Sequence, residues 1–191
     1  MSSFLQSSDE KGRSAHLEFE VFFKQYSMKI QFSAEKLKEV NELISHYPEG
    51  KQKSALIPLL HIAQDEFGGW LDAPVMDYVA ELLHILPIEV YEVATFYSMF
   101  NTKPVGKYLL EVCRTGPCML NGSDQIIEYI KEKLGISEGE TTEDGLFTLK
   151  PAECLGACGY APMMQLGKTY REHLTKEKID KLIAEARAGK N

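Results

Sequence analysis

The stretch Lys103-Pro104-Val105-Gly106-Lys107-Tyr108-Leu109-Leu110-Glu111-Val112-Cys113-Arg114-Thr115-Gly116-Pro117-Cys118 is where the chain changes character. Before it, apolar residues recur every three or four positions, the spacing of a helix face. Within it, Tyr108, Leu110 and Val112 alternate with Leu109, Glu111 and Cys113, the period of a strand. Such a strand delivers Cys113 at its C-terminal end, and the loop after it, stiffened by Pro117, brings up Cys118. A second cluster, Cys154-Leu155-Gly156-Ala157-Cys158, completes the inventory of four cysteines in the 191 residues.

Downstream of the first pair, Ser123 is placed to cap a helix carrying Ile126, Ile127, Ile130 and Leu134, closed by Gly135. Leu146 to Leu149 follows an Asp144-Gly145 turn as a short strand. The second cysteine pair lies in a glycine-containing loop. Pro162 to Leu166 and Thr169 to Arg171 form a hairpin about Gly167-Lys168. Thr175 caps a last helix with Ile179, Leu182, Ile183 and Ala186 inward. The order β-α-β-β-β-α is a small α/β layer with helices packed on a sheet.

Upstream, four helices are expected. Ser33 caps the first, with Leu37, Val40 and Ile44 inward. The second begins near Ser54, tolerates Pro58 in its first turn, carries Leu59, Ala63 and Phe67, and stops at Gly68-Gly69. Pro74 opens a third with Val75, Val79, Leu82, Leu83 and Leu86 buried. Pro87 ends it and opens a fourth with Ile88, Tyr91 and Phe96 inward. Short breaks between short helices make a bundle or stack. The domains expected are therefore an N-terminal extension (1–32), a helical domain (33–102) and the cysteine-bearing α/β domain (103–191). In the extension, Leu17, Phe19, Val21 and Phe23, then Met28, Ile30 and Phe32, alternate as in extended structure. That pattern fits a loose leader or an arm laid on a partner.

A formal charge of −7 and a pI near 5.3 argue against a nucleic-acid surface, which needs clustered Lys and Arg. No apolar run approaches the ~18–20 residues that span a bilayer. The N-terminus carries neither a secretory signal pattern nor the basic composition of a transit peptide, so a cytosolic setting with reduced thiols is expected. No glycine-rich dinucleotide fingerprint follows a strand, and no acid–base or nucleophile constellation stands out.

Four thiolates in two pairs suit zinc or an iron–sulfur cluster. Structural zinc knuckles generally use two-residue gaps, and here the gaps hold four and three residues. Wider loops favour a two-iron cluster, each pair holding one iron. Gly116, Gly156 and Gly159 would let backbone N–H groups approach the sulfurs and tune such a centre. Zinc, a dithiol pair and disulfides remain alternatives at this point.

The run Val90-Tyr91-Glu92-Val93-Ala94-Thr95-Phe96-Tyr97-Ser98-Met99-Phe100 resembles a signature of the 24-kDa (E-type) subunits of respiratory complex I, NADH-quinone oxidoreductase. Gly69-Trp70-Leu71, Val112-Cys113, Pro117-Cys118-Met119-Leu120 with Gly122, and Cys154 to Cys158 followed by Ala161-Pro162 match it in the same order. The resemblance runs from about residue 35 to 185. It implies a helical N-terminal domain before a thioredoxin-like ferredoxin domain. It implies one [2Fe–2S] cluster per chain on Cys113, Cys118, Cys154 and Cys158, accepting single electrons from reduced FMN. FMN and NADH would be bound by a partner subunit only, with other peripheral-arm subunits as further partners. The chain would then be part of NADH dehydrogenase (quinone) without a complete active site of its own. It would be cytoplasmic in a bacterium, peripheral to the inner membrane through the complex, without membrane insertion. Subunits of NAD-linked hydrogenases and formate dehydrogenases share this fold and spacing. A zinc-stabilised adaptor is the alternative of a different class.

Plainer readings apply to other residues. Trp70 is read as an anchor in the core or between the domains, with anchoring of a partner as the alternative. Tyr91, Phe96, Tyr97 and Phe100 are read as a packed helix face, with an interface to the flavin subunit as a compatible alternative, and Met163-Met164 as packing against the sheet or the cluster surround. The acidic loop of Glu138, Glu140, Glu143 and Asp144 is read as a solvated turn, with a docking role as the alternative. His16, His46, His61, His84 and His173 are scattered without ligand spacing.

Overall fold

The computed structural model describes residues 30–189, which fall into two compact units divided between Thr102 and Lys103. In the first unit the helices are α1 (Ala34–Ser45), α2 (Leu56–Glu66) after a 3₁₀ turn (Gln52–Ala55), α3 (Ala73–Leu83) and α4 (Pro87–Phe96). Three of the four begin where the chain supplies a start signal, and α2 continues from the 3₁₀ turn before it. The Ser33 side chain accepts the Lys36 N–H at 3.3 Å, and Asp72 accepts that of Val75 at 2.9 Å. Pro74 and Pro87 sit in first turns, where their missing N–H costs nothing. The core is built from Val40, Leu59, Leu60, Ala63, Leu71, Val79, Leu83 and Val90, all essentially inaccessible. Each large aliphatic side chain so buried contributes about 1.5–3 kcal/mol.

The structure departs from the expectations at four places in this unit. In α4 the buried residues are Val90 and Ala94, whereas Ile88 is 55% exposed and Phe96 80% exposed. The helix is apolar on more than one face, so periodicity does not choose between them; the smaller side chains lie inward, where α3 packs close. Leu86, expected inside α3, lies beyond its end at His84, whose left-handed backbone (φ 53°) closes the helix, and is exposed. Trp70 is only half-buried and stands outside the core, while its neighbour Leu71 fills it. A polar clasp explains this placement. Leu71 donates its N–H to the Asn101 carbonyl at 2.8 Å, Asn101 Nδ2 donates to Gly69 O at 3.0 Å, and the Asn101 N–H reaches Gln64 Oε1 at 2.7 Å. Phe32, assigned to the extension, is buried in this core, with ring contacts to Phe67 (5.2 Å) and Tyr78 (5.5 Å). The alternating residues from Leu17 to Met28 lie outside the described residues.

The second unit is a four-stranded sheet in the order β2-β1-β3-β4. The strands are β1 (Tyr108–Cys113), β2 (Phe147–Ala152), β3 (Met164–Leu166) and β4 (Thr169–Arg171). β1 runs parallel to β2 and antiparallel to β3, and β3–β4 is the expected hairpin. The helices are α5 (Gly116–Leu120), α6 (Ser123–Leu134) and α7 (Lys176–Arg187). Ile126, Ile127 and Ile130 of α6 and Ile179, Leu182 and Ile183 of α7 close over Leu110, Phe147, Leu149 and Met164. This is the α/β, thioredoxin-like arrangement, with a helical unit before it. Ser123 does not cap α6. Gly122 does, and Ser123 falls in the first turn with its hydroxyl buried and unpartnered. The cause is α5, a short helix within what the sequence presents as loop, which ends only two residues earlier.

Candidate functional site

Cys113 is the last residue of β1, the strand flanked by β2 and β3. Its N–H is held by the Met163 carbonyl at 3.1 Å, and the next N–H, of Arg114, by Ala152 O at 3.2 Å. The strand end is thus pinned from both sides. Thr115 then opens α5 with Pro117 in its first turn, and the Cys118 N–H closes onto Thr115 O at 3.0 Å. One helical turn returns Cys118 beside Cys113. The two thiols are 1–2% exposed, with Met163 wholly buried against them and Leu155, Ala157 and Ala161 packed around. Met164 points into the main core instead, so the expected methionine pair divides between the two environments.

The second pair comes from the other direction. β2 ends at Ala152, and its loop carries Cys154 and Cys158, both exposed. Tyr170 of β4 braces this loop by donating its hydroxyl to Leu155 O at 2.7 Å. The His173 N–H donates to Tyr160 O at 2.9 Å and holds its far end. Gly116 (φ +38°) and Gly156 (φ +80°) turn the two loops in a backbone region that other residues rarely adopt. Gly159 has no such conformation, and a methyl group there would meet nothing, so this chain's own packing does not require it.

All four cysteines are free thiols. Burial acts to raise the Cys113 thiol. The backbone N–H groups of Thr115 and Leu155, the Thr115 hydroxyl and the Cys118 thiol outweigh it and draw Cys113 below its ordinary value. Cys118 is pushed up to about 11 by burial and by its bond to Cys113, against the Met163 N–H. Cys158 is raised by its hydrogen bond and charge contact with Cys154, with Cys113 adding to the effect. Cys158 also acts on Cys118, so the electrostatics join the two pairs. Among the described residues no three His, Cys, Asp or Glu side chains are drawn up as the ligands of one ion; the thiols associate two by two. The donors found on sulfur are the backbone groups of Thr115 and Leu155 with the Thr115 hydroxyl on Cys113, that of Met163 on Cys118, and that of Cys158 on its own sulfur. Neither Thr115 nor Tyr170 stands out in the sequence. A Thr followed by a first-turn Pro is a helix-start pattern that could have revealed the first. Nothing local marks the second.

The expected acidic loop is more than a solvated turn. Glu138 pairs with Arg114 at 3.2 Å, and Glu140 accepts the Ser137 N–H at 2.7 Å. Asp144 accepts the Leu146 N–H at 3.0 Å.

Residues 40–187 match the model of the thioredoxin-like [2Fe–2S] ferredoxin family. The chain is 50% identical over 159 residues to the E-type subunit of NADH-quinone oxidoreductase from Rickettsia felis, covering 83% of this chain and 95% of that one. It is 49% identical over 152 residues to the corresponding protein of Rickettsia conorii, which bears the same name, covering 80% and 91%. An air-oxidised NAD⁺-reducing [NiFe]-hydrogenase overlays on 71% of the chain with a TM-score of 0.62 at 22% identity. The overlay spans only 23% of that hydrogenase chain, and at this identity the likeness is one of fold.

Proposed function

The chain belongs to the thioredoxin-like [2Fe–2S] ferredoxin family, and from that premise we propose that it is the electron-transfer subunit of an NADH-quinone oxidoreductase. The observation that carries the reading is the pairing of four free thiols, two from the β1–α5 turn and two from the loop after β2. The fit is chemical. Soft sulfur donors come in twos, one pair buried and one open, with backbone N–H groups already aimed at the buried sulfurs. Cys113, Cys118, Cys154 and Cys158 would hold the cluster. A [2Fe–2S] cluster bound there supplies reversible one-electron transfer. The chain's own part is to fix the four sulfurs, exclude water from the inner pair and place hydrogen-bond donors on it.

A flavin that receives a hydride gives up its electrons singly to such a centre. The partner is then a subunit binding FMN and NADH, with other peripheral-arm subunits beyond it. Among the described residues no helix is long and apolar enough to cross a membrane. The complex would hold this chain on the cytoplasmic side of the bacterial inner membrane. The cysteine spacing that NAD-linked hydrogenase and formate dehydrogenase subunits share makes a diaphorase role in such a complex the second reading.

Iron and zinc are to be measured together in chain purified anaerobically from its native source, with the co-purifying subunits identified. About two irons per chain, a reducible visible spectrum and a flavin-bearing partner with quinone-reductase subunits are expected. About one zinc without iron would leave a structural four-thiolate site and end the redox reading. Hydrogenase subunits in place of quinone-reductase ones would move it to the second reading.

A further inference from the structure

Thr115 occupies the N-cap position of α5, where a threonine hydroxyl ordinarily accepts a backbone N–H from the first turn. It makes no such bond. Its Oγ1 lies instead 3.7 Å from the Cys113 sulfur. The backbone N–H of the same residue also reaches that sulfur, so one residue sets two donors on one atom. With a free thiol either partner of the hydroxyl–sulfur contact could donate. A ligating thiolate has no proton, which leaves the hydroxyl as the only donor. Cys113 is 2% exposed, so water does not compete for the sulfur, and low local polarity strengthens the bond.

We propose that Thr115 is a positioning residue whose hydroxyl, donated to the Cys113 sulfur, raises the reduction potential of the centre held by the four cysteines. The inference rests on the cluster assignment above. Its sign follows from charge. Reduction adds an electron, and a donor on a ligand sulfur stabilises the more negative state. Removing that donor makes reduction harder.

The test is a redox titration of the full-length chain, followed by EPR or visible absorbance, with iron counted in every sample. Thr115→Ser keeps the hydroxyl and loses the methyl group. Thr115→Val keeps the shape and loses the hydroxyl, and Thr115→Ala loses both. The midpoint of Thr115→Ser stays at the wild-type value, while those of Thr115→Val and Thr115→Ala move together to more negative potential. An unmoved Thr115→Val with full iron content overturns the proposal, as does a Thr115→Ser that moves as far as Thr115→Val. If one hydroxyl-free variant fails to retain iron, the other carries the comparison. If both lose iron while Thr115→Ser keeps it, the hydroxyl retains the cluster rather than setting its potential, and the proposal falls. Wild-type chain without iron would sink the cluster assignment itself, a separate result from an unmoved potential.

Discussion

Cys118 is a thiol whose environment serves little purpose without a ligand. It lies 1% exposed beside Cys113 and Met163, its proton held tightly by burial and by the neighbouring thiol. Burial makes the bare thiolate costly, so Cys118 gives up that proton only where a bound metal supplies the compensating positive charge. Cys118→Ser should therefore leave well under half of the wild-type iron, while the first unit, whose core contains no cysteine, keeps its unfolding transition. Iron analysis with far-UV melting checks both halves; full iron content in the variant would remove Cys118 from the ligand set. Residue by residue, legibility was uneven. The cysteines announced themselves because soft donors in close pairs have few other uses. Thr115 and Tyr170 did not, because their roles depend on where a hydroxyl points. Phe32 was misassigned because an isolated aromatic before a helix cap looks the same whether it packs back or trails away; only Phe67 and Tyr78 decide it.

Among the elements, α4 shows how a helix can be placed correctly and turned wrongly. Pro87 and the residues after it specify the helix, but Ile88, Val90, Tyr91, Val93, Ala94 and Phe96 leave its inward face undetermined by sequence. Contact with α3 selects Val90 and Ala94, and Tyr91 settles at the margin with its hydroxyl donated to Asp77. The start of this helix also carries a pH-sensitive lock. Glu89 accepts the Lys53 ammonium at 2.6 Å and the Leu86 N–H at 2.9 Å. The Lys53 hydrogen bond first, and the Leu86 N–H after it, hold the Glu89 carboxyl below its ordinary value of 4.5. A carboxyl depressed by folding contributes stability above its unfolded pKa and loses it as pH falls through the folded one. Glu89→Gln should thus lower the thermal midpoint at neutral pH, and the gap to wild type should narrow as pH falls below the ordinary value of 4.5. Melts of both proteins across that range test it; a gap independent of pH would assign the effect to side-chain shape.

In the whole chain, the change of period at Lys103 was legible because strands and helices bury residues at different intervals. The sheet order was not, since nothing local says that β1 lies between β2 and β3. Once formed, that sheet buries a core of its own, from Tyr108 and Leu110 through Ile130 and Phe147 to Ile183. All four thiols and every donor found on them also belong to this unit. A segment of this size, with a continuous core and metal binding coupled to folding, meets the ordinary requirements for folding alone. Lys103–Asn191, produced without the helical unit, should therefore unfold cooperatively and carry about two irons. Iron content and denaturant titration of that fragment measure the two properties. A fragment that remains unfolded after anaerobic reconstitution, when the full chain accepts iron under the same treatment, would show that the helical unit is required to form the site.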